Sequence, residues 1–226
     1  MRLRLDPDDD EAEQRIRDAL DKRSEREIAG ALSEWQQSLF DRGASVAEVQ
    51  AATANLQATP KVKDALQRTL IDAADLGVNV AIDQMGSIGF DYALAHAQAR
   101  QAATAYSYEL IRNVEDSTRR VVSEAVARWV ENGEPLDRLI DDLEPTFGRR
   151  RAQTIAQTET TRAYQMGARA SYREAGVVES IEWQTAADEL VCPICGPKRG
   201  QRMPLDSTDV PPAHPNCRCW VLPVVE

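Results

Sequence analysis

The chain has 226 residues, of which 42% are apolar, 5% aromatic and 28% charged, with a formal net charge of −10. That length allows one large domain or two modest ones. No run of about 18 apolar residues offers a membrane span, and the opening MRLRLDPDDDEAEQR lacks the apolar stretch of a secretory leader.

Residues 6–11, DPDDDE, form an acidic lead-in, either disordered or capping the first helix. Residues 11–39 contain no proline, and Ile16, Leu20, Ile28, Leu32, Trp35 and Leu39 give a partial apolar stripe at helical spacing. Residues 41–45 read as a turn. Ser45, with Glu48 three residues on, makes a capping box that opens a short helix ending near residue 57. Thr59 and Pro60 start the next helix, whose face carries Val62, Leu66, Leu70, Ala73 and Ala74. The glycines of MGSIGF, residues 85–90, break it. Two helices follow over residues 91–113 and 116–131, the second with Val121, Val122, Ala125, Val126 and Trp129 facing inwards. ENGEPLDRLIDDLEPTFG then reads as a glycine stop, a proline start, a two-turn helix and a second proline stop. A long helix from residue 149 closes at Gly176. VVESIEWQTA, with Ile181 and Trp183 alternating with polar partners, predicts a strand, and CWVLPVVE a final one.

The expected fold is therefore mainly α. A long helical N-terminal body spans residues 1–145, a connecting helix residues 146–176, and a small α+β tail residues 177–226. The acidity is one-sided: residues 1–145 hold 17 Lys/Arg against 28 Asp/Glu, and residues 146–226 hold 10 against 9. Such a body repels nucleic acid as a whole. The local exception is the run Arg149, Arg150, Arg151, which reads first as a solvated helix start and second as a candidate nucleic-acid contact.

All four cysteines lie in the tail. Cys192 and Cys195 form a C-x2-C pair, a spacing that lets one tight turn aim two thiolates at a point. His214, Cys217 and Cys219 form an H-x2-C-x-C group. Residues two apart in an extended segment point the same way, so Cys217 and Cys219 can face one ion. Synthesis in a cytoplasm, where thiols stay reduced, favours Zn2+ over disulfides, which are the competing reading. Five donors compete for four tetrahedral positions. The four cysteines, Cys192, Cys195, Cys217 and Cys219, are the preferred set; His214 with three cysteines is the other, His214 otherwise supporting the ligands from behind. A catalytic zinc needs an open position and an acid–base partner, and neither an HExxH nor the H-x-E…P-C-x-x-C deaminase arrangement is present. The expectation is a structural ion and no enzyme. A tail this small has little core, so the metal supplies much of its folding free energy.

RAQTIAQTETTRAYQMG, EWQTAADELVCPICGPKRGQ and PPAHPNCRCWVLP together resemble the phage Mu F-like minor head proteins, also called phage head morphogenesis proteins. That family's pattern is an IA-x-TE helix, a tryptophan strand, D-x-x-VC-x-x-C, a glycine and HP-x-CRC. Here it falls on Ile155, Ala156, Thr158, Glu159, Trp183, Asp188, Val191, Cys192, Cys195, Gly200, His214, Pro215, Cys217, Arg218 and Cys219. In GPKRGQ an arginine stands where a leucine often precedes the glycine. The resemblance covers roughly residues 105–226. It implies a structural component of a tailed-phage or prophage-like head, located in the virion inside the capsid near the portal. Its implied partners are the portal protein, with the major capsid protein and packaged DNA as further contacts, several copies sitting on the portal.

The remaining motif residues carry simpler expectations. Glu159 either bonds back to the tail, through backbone amides or Arg218, or is solvated. Trp183 covers the cysteine loops, Asp188 caps a turn, and Arg218 points away from the metal. Trp35, Trp129 and Trp220 read as packing residues, and His96 as a helix-surface or packing residue. Two other classes of function stay in view: a zinc-dependent nucleic-acid-processing or hydrolytic enzyme, and a DNA-binding module using the arginine run.

Overall fold

The helices start and stop where the sequence supplies caps. In the computed structural model, which describes residues 7–40, 44–86, 88–185 and 191–225, six helices precede a three-stranded sheet. α1 spans Pro7–Leu39 and α2 Val46–Ala54. At α2 the Ser45 hydroxyl accepts from the Glu48 N–H while Glu48 returns a carboxylate to the Ser45 N–H at 2.7 Å, the reciprocal capping box. α3 (Pro60–Met85) begins on the Thr59 cap with Pro60 in its first turn, and stops at Gly86, φ 59°. The turn expected over residues 41–45 falls partly outside the described residues, which resume at Ala44.

Three expectations change. The acidic lead-in is helical from Pro7. The two helices expected between residues 91 and 131 are one, α4 (Tyr92–Asn132), capped by Asp91 and ended by Gly133 in the left-handed region. No glycine or proline lies between those caps, and the polar NVED stretch turns outward only at Asn113 and Asp116, while Val114 and Thr118 stay buried and Glu115, half-buried, accepts from the Ala58 N–H at 2.9 Å. α5 (Leu136–Phe147) runs twelve residues, with Pro145 inside it rather than ending it. Burial of Thr146 and Phe147 just beyond the proline holds the last turn in place, Phe147 meeting Trp35 edge-on at 5.5 Å.

α6 (Arg149–Ala175) runs from that corner to Gly176, whose left-handed φ of 67° stops it. It packs on α1, α3, α4 and α5, and reaches the sheet at its C-terminal end. Its crossing with α3 is backbone against backbone. A Cβ on Gly77 would stand 2.1 Å from the Tyr164 carbonyl oxygen, and one on Gly167 would stand 1.9 Å from the Ala74 carbonyl oxygen. The main core joins Ile28, Leu32 and Trp35 of α1, Leu66, Leu70 and Val78 of α3, Val122 and Trp129 of α4, and Leu139, Leu143 and Phe147 of α5. A second core, including Met85, Tyr172, Ile181, Leu205 and Val221, welds α3 and α6 to the sheet.

α1 packs by two different chemistries along one face. From Ile28 onward its inward positions are apolar. Followed back at helical spacing, the same stripe lands on Ser24, Glu25, Arg17 and Glu13, all buried. Ile16, expected in the stripe, stands off this face at 52% exposure.

Candidate metal centre

The tail is a sheet of order β2-β1-β3, both pairings antiparallel: β1 (Ser180–Gln184) in the centre, β2 (Arg202–Pro204) and β3 (Trp220–Val224) at its sides. β1 and β3 fall on the expected strands. β2 was not foreseen, because three residues ending in proline carry no alternation to read. β1 aligns Ser180 with Val224 and Gln184 with Trp220, bringing the CRC segment beside the strand that carries Trp183. Between β1 and β2 the chain makes the C-x2-C turn, with the Cys195 and Gly196 N–H groups both donating to the Cys192 carbonyl. A 3-10 turn at Gly196–Lys198 follows, and the chain returns through Gly200, φ 77°. The Gly200 N–H then donates to the Trp183 carbonyl at 2.8 Å and the Trp183 N–H to the Gln201 carbonyl at 2.9 Å, fixing the turn to the central strand.

All five candidate donors converge. Cys192, Cys195 and His214 form one triad and Cys195, Cys217 and Cys219 another, with donor atoms in each within 4.8 Å of one another, so the cluster could hold a metal ion. Cys195 belongs to both. The Cys195 and Cys217 sulfurs stand 3.8 Å apart. Zinc with sulfurs at about 2.3 Å in a tetrahedron sets that edge at about 3.8 Å. His214 Nε2 lies 3.0 Å from the Cys192 sulfur and 3.2 Å from that of Cys195. The ring is oriented by its other nitrogen: Nδ1 donates to the Pro215 carbonyl at 2.8 Å, which leaves the Nε2 lone pair directed at the cysteines. A cavity of about 30 Å³ sits among Cys192, Cys195, His214 and Cys219, its wall completed by Thr185, Val191, Asn216 and Arg218. A donor set of soft sulfurs and one imidazole, around a space that small, fits zinc.

The thiols hold their protons unequally. A hydrogen bond from Cys219 brings Cys217 down to about 5, and the same bond pushes Cys219 up. Burial pushes Cys195 up to about 12. The Pro215 carbonyl, taking the Nδ1 proton's hydrogen bond, raises His214. An ion entering this site displaces protons, so its binding is pH-dependent.

Behind the cluster, α6 acts as a template. Its residues Thr154, Thr158, Thr161 and Gln165 lie on one helical face and bond the tail in order. Asn216 donates its N–H to Thr158 Oγ1 at 3.0 Å and its side-chain amide to Thr154 Oγ1 at 3.4 Å. Thr161 donates to the Cys217 carbonyl at 2.7 Å and Gln165 to that of Cys219 at 3.5 Å, while the Tyr172 hydroxyl donates to Gln84 Oε1 at 2.5 Å and lies 3.5 Å from the Val221 carbonyl. The ligand-bearing segment therefore lies parallel to α6 and is gripped at successive residues.

Glu159 points elsewhere. It is buried, pairs with Arg162 at 3.1 Å and accepts from the Tyr106 hydroxyl; burial raises its carboxyl. Trp183 is fully buried against Cys195, Cys217 and Cys219, with Lys198 Nζ 4.8 Å above its ring. Asp188 lies outside the described residues. In the arginine run, Arg151 turns inward to Thr118, Thr146 and Ser117, Arg149 pairs with Glu25 at 2.5 Å, and Arg150 is exposed. His96 bonds Asp75 at 2.9 Å across α3 and α4, away from the cysteines.

The sequence reading missed α1. Arg17 NH2 donates to the Arg218 carbonyl at 3.1 Å, across 201 residues, and its guanidinium stacks on Tyr164 at 4.7 Å and Trp220 at 5.3 Å. Glu13 accepts from the Tyr164 hydroxyl at 2.5 Å. Extending the apolar stripe of α1 backwards would have found these positions.

Two substitutions probe this surround. Thr161→Val keeps the shape but strips the partner from a buried carbonyl between ligands, and is expected to cost about 1–3 kcal/mol of tail stability, read from thermal unfolding. Thr158→Val, whose partner Asn216 is exposed, is expected to cost less. Asp21 sits beside this seam, accepting from Thr160, and burial pushes its carboxyl from 3.8 up to about 6 against the pull of Thr160, Arg17 and Arg218. Raised in the folded state, it binds a proton there that the unfolded chain has lost. Its contribution to stability is therefore full below about pH 4 and is lost as pH rises through 6. Asp21→Asn is expected to raise the melting temperature at pH 8, with the gain shrinking to nothing towards pH 4; a pH-independent gain would contradict this assignment.

Residues 120–222 match the model of the family described as Phage Mu protein F like protein. No curated protein and no solved structure matches the chain.

Proposed function

We propose, on the premise that residues 120–222 belong to the Phage Mu protein F like family, that the chain is a structural component of a phage or prophage-like head. It acts in head morphogenesis from the capsid interior near the portal, and the portal protein is its main partner. The observation that carries a structural rather than a chemical role is the site itself. Five protein donors gather there as two triads that share Cys195, enough to surround a tetrahedral ion with side chains alone. The acidic body suits docking on protein and opposes a DNA-coating role.

The ion is zinc, held by Cys192, Cys195 and His214 with one sulfur of the Cys217–Cys219 pair. It staples the C-x2-C turn to the CRC segment; no chemistry passes through it. Cys217→Ser and Cys219→Ser, made separately, are expected to differ: one keeps one zinc per chain, the other loses most of it, as counted by mass spectrometry. Two disulfides and no metal would replace the staple with a covalent one.

The role is tested on particles. Heads purified from producing cells are expected to contain the chain in few copies, cross-linked to the portal protein and shielded from added protease until the heads are opened. Heads that lack it, or that carry it on the outer surface, would overturn the reading. A zinc with a bound water and a free position would favour the hydrolytic alternative, and salt-sensitive retention on DNA the nucleic-acid one.

A further inference from the structure

The first half of α1 is attached to the molecule by a charged seam, and that seam ends on the metal centre. Arg17, 7% exposed, donates to the backbone carbonyl of Arg218, the residue between Cys217 and Cys219. Its guanidinium also lies over Trp220, the next residue in the chain after Cys219, and over Tyr164. Glu13 holds Arg17 from one turn away at 4.0 Å and ties the same turn to Tyr164 and to Gln84. The second half of α1 needs none of this, because Ile28, Leu32 and Trp35 anchor it in the main core.

The two halves therefore depend on different things. The carbonyl of Arg218 and the ring of Trp220 belong to the segment that carries Cys217 and Cys219, so an ion that fixes those sulfurs would also fix the seat of Arg17. Without that seat Arg17 loses its carbonyl acceptor and one of its two rings and keeps only Glu13 and Tyr164, a poorer setting for a buried charge that favours undocking. Undocking residues 13–25 frees mainly polar side chains of α1, and its apolar cost falls on Leu20, Tyr164 and Trp220.

We propose that Arg17 is a positioning residue of the metal centre, and that docking of the first half of α1 and loading of the centre are one coupled equilibrium. This rests on the zinc reading above. Coupling between two sites is reciprocal. Zinc must tighten the docking of α1, and docked α1 must tighten the binding of zinc by the same factor.

The test uses the full chain. Zinc affinity is measured by competition with a chromophoric chelator for the wild type, Arg17→Ala and Arg17→Lys. Hydrogen exchange across α1 is followed with and without zinc. Arg17→Ala is expected to weaken zinc roughly tenfold, the size seen when a group behind a ligand is lost, and Arg17→Lys less. Removing zinc from the wild type is expected to open residues 13–25 to exchange while residues 28–39 stay protected. Glu34→Ala, on the exposed side of the second half and paired with Lys61, is expected to change neither. Unaltered zinc affinity in Arg17→Ala, or residues 13–25 equally protected without zinc, overturns the coupling and leaves the zinc reading standing. A wild-type chain that takes up no zinc overturns both.

Discussion

Gly77→Ala and Gly167→Ala are each expected to destabilise the protein by about 3 kcal/mol or more, a fall of roughly 6–12 °C in melting temperature. Alanine is ordinarily the better helix residue, by about 0.5–1 kcal/mol over glycine. The sign reverses here because the space is already occupied by backbone. The atoms a new Cβ would meet are the carbonyl oxygen of Tyr164 in one case and that of Ala74 in the other, and neither can rotate away. The helices must separate, and α6 carries both the main core and the second core on its faces. Gly30→Ala is the internal comparison. It also sits mid-helix, but a Cβ there meets nothing within 4 Å, and it is expected to stabilise by about 0.5–1 kcal/mol. Thermal or denaturant unfolding of the three variants decides the matter. Equal effects at Gly30 and Gly77 would mean that α3 and α6 do not touch as described.

Cys195→Ser is expected to be the most damaging change in the tail. Cys195 is the one donor common to both triads, and it is buried against Trp183. Loss of one ligand in four is expected to weaken zinc by about two orders of magnitude or more, given the 10–16 kcal/mol typical of structural zinc sites. Because the tail's own core is small, metal loss is expected to melt the sheet and leave the helices. Far-ultraviolet dichroism would stay largely helical while the fluorescence of the tail's Trp183 and Trp220 changed. Chelation of the wild type should reproduce that pattern. A Cys195→Ser protein that keeps one zinc and a native tryptophan signal would refute the pivotal place given to this sulfur.

Local signals in the sequence marked most helix ends, because caps are local chemistry. Ser45 with Glu48, Thr59 with Pro60, Gly86, Gly133 and Gly176 all act where their side chains or dihedral freedom predict. The five residues picked out by cysteine and histidine spacing lie near one another in the structure. What escaped was long-range. Nothing near Pro145 announces that Phe147 will be buried under Trp35, and nothing in RMP announces a strand, since β2 exists only by pairing with Ile181 and its neighbours. Glu159 reads from sequence as bonded to the tail or solvated and is neither: Thr158 and Thr161 face the tail while Glu159, buried, turns to Tyr106 and Arg162. Arg17 looked like one more charge on an acidic helix until 201 residues of chain returned to it.

The length of α4 bears on how the protein can be divided. Its 41 residues form one unbroken rod of about 60 Å, and the family match begins at residue 120, more than halfway along it. The edge of the match is therefore not a mechanical joint. A fragment cut there would begin in mid-helix and would leave the buried faces of Val122, Ala125 and Val126 without the upstream turns that align them. Force or torque applied to the acidic body would pass along that rod into the matched residues with no glycine or proline between its caps to absorb it.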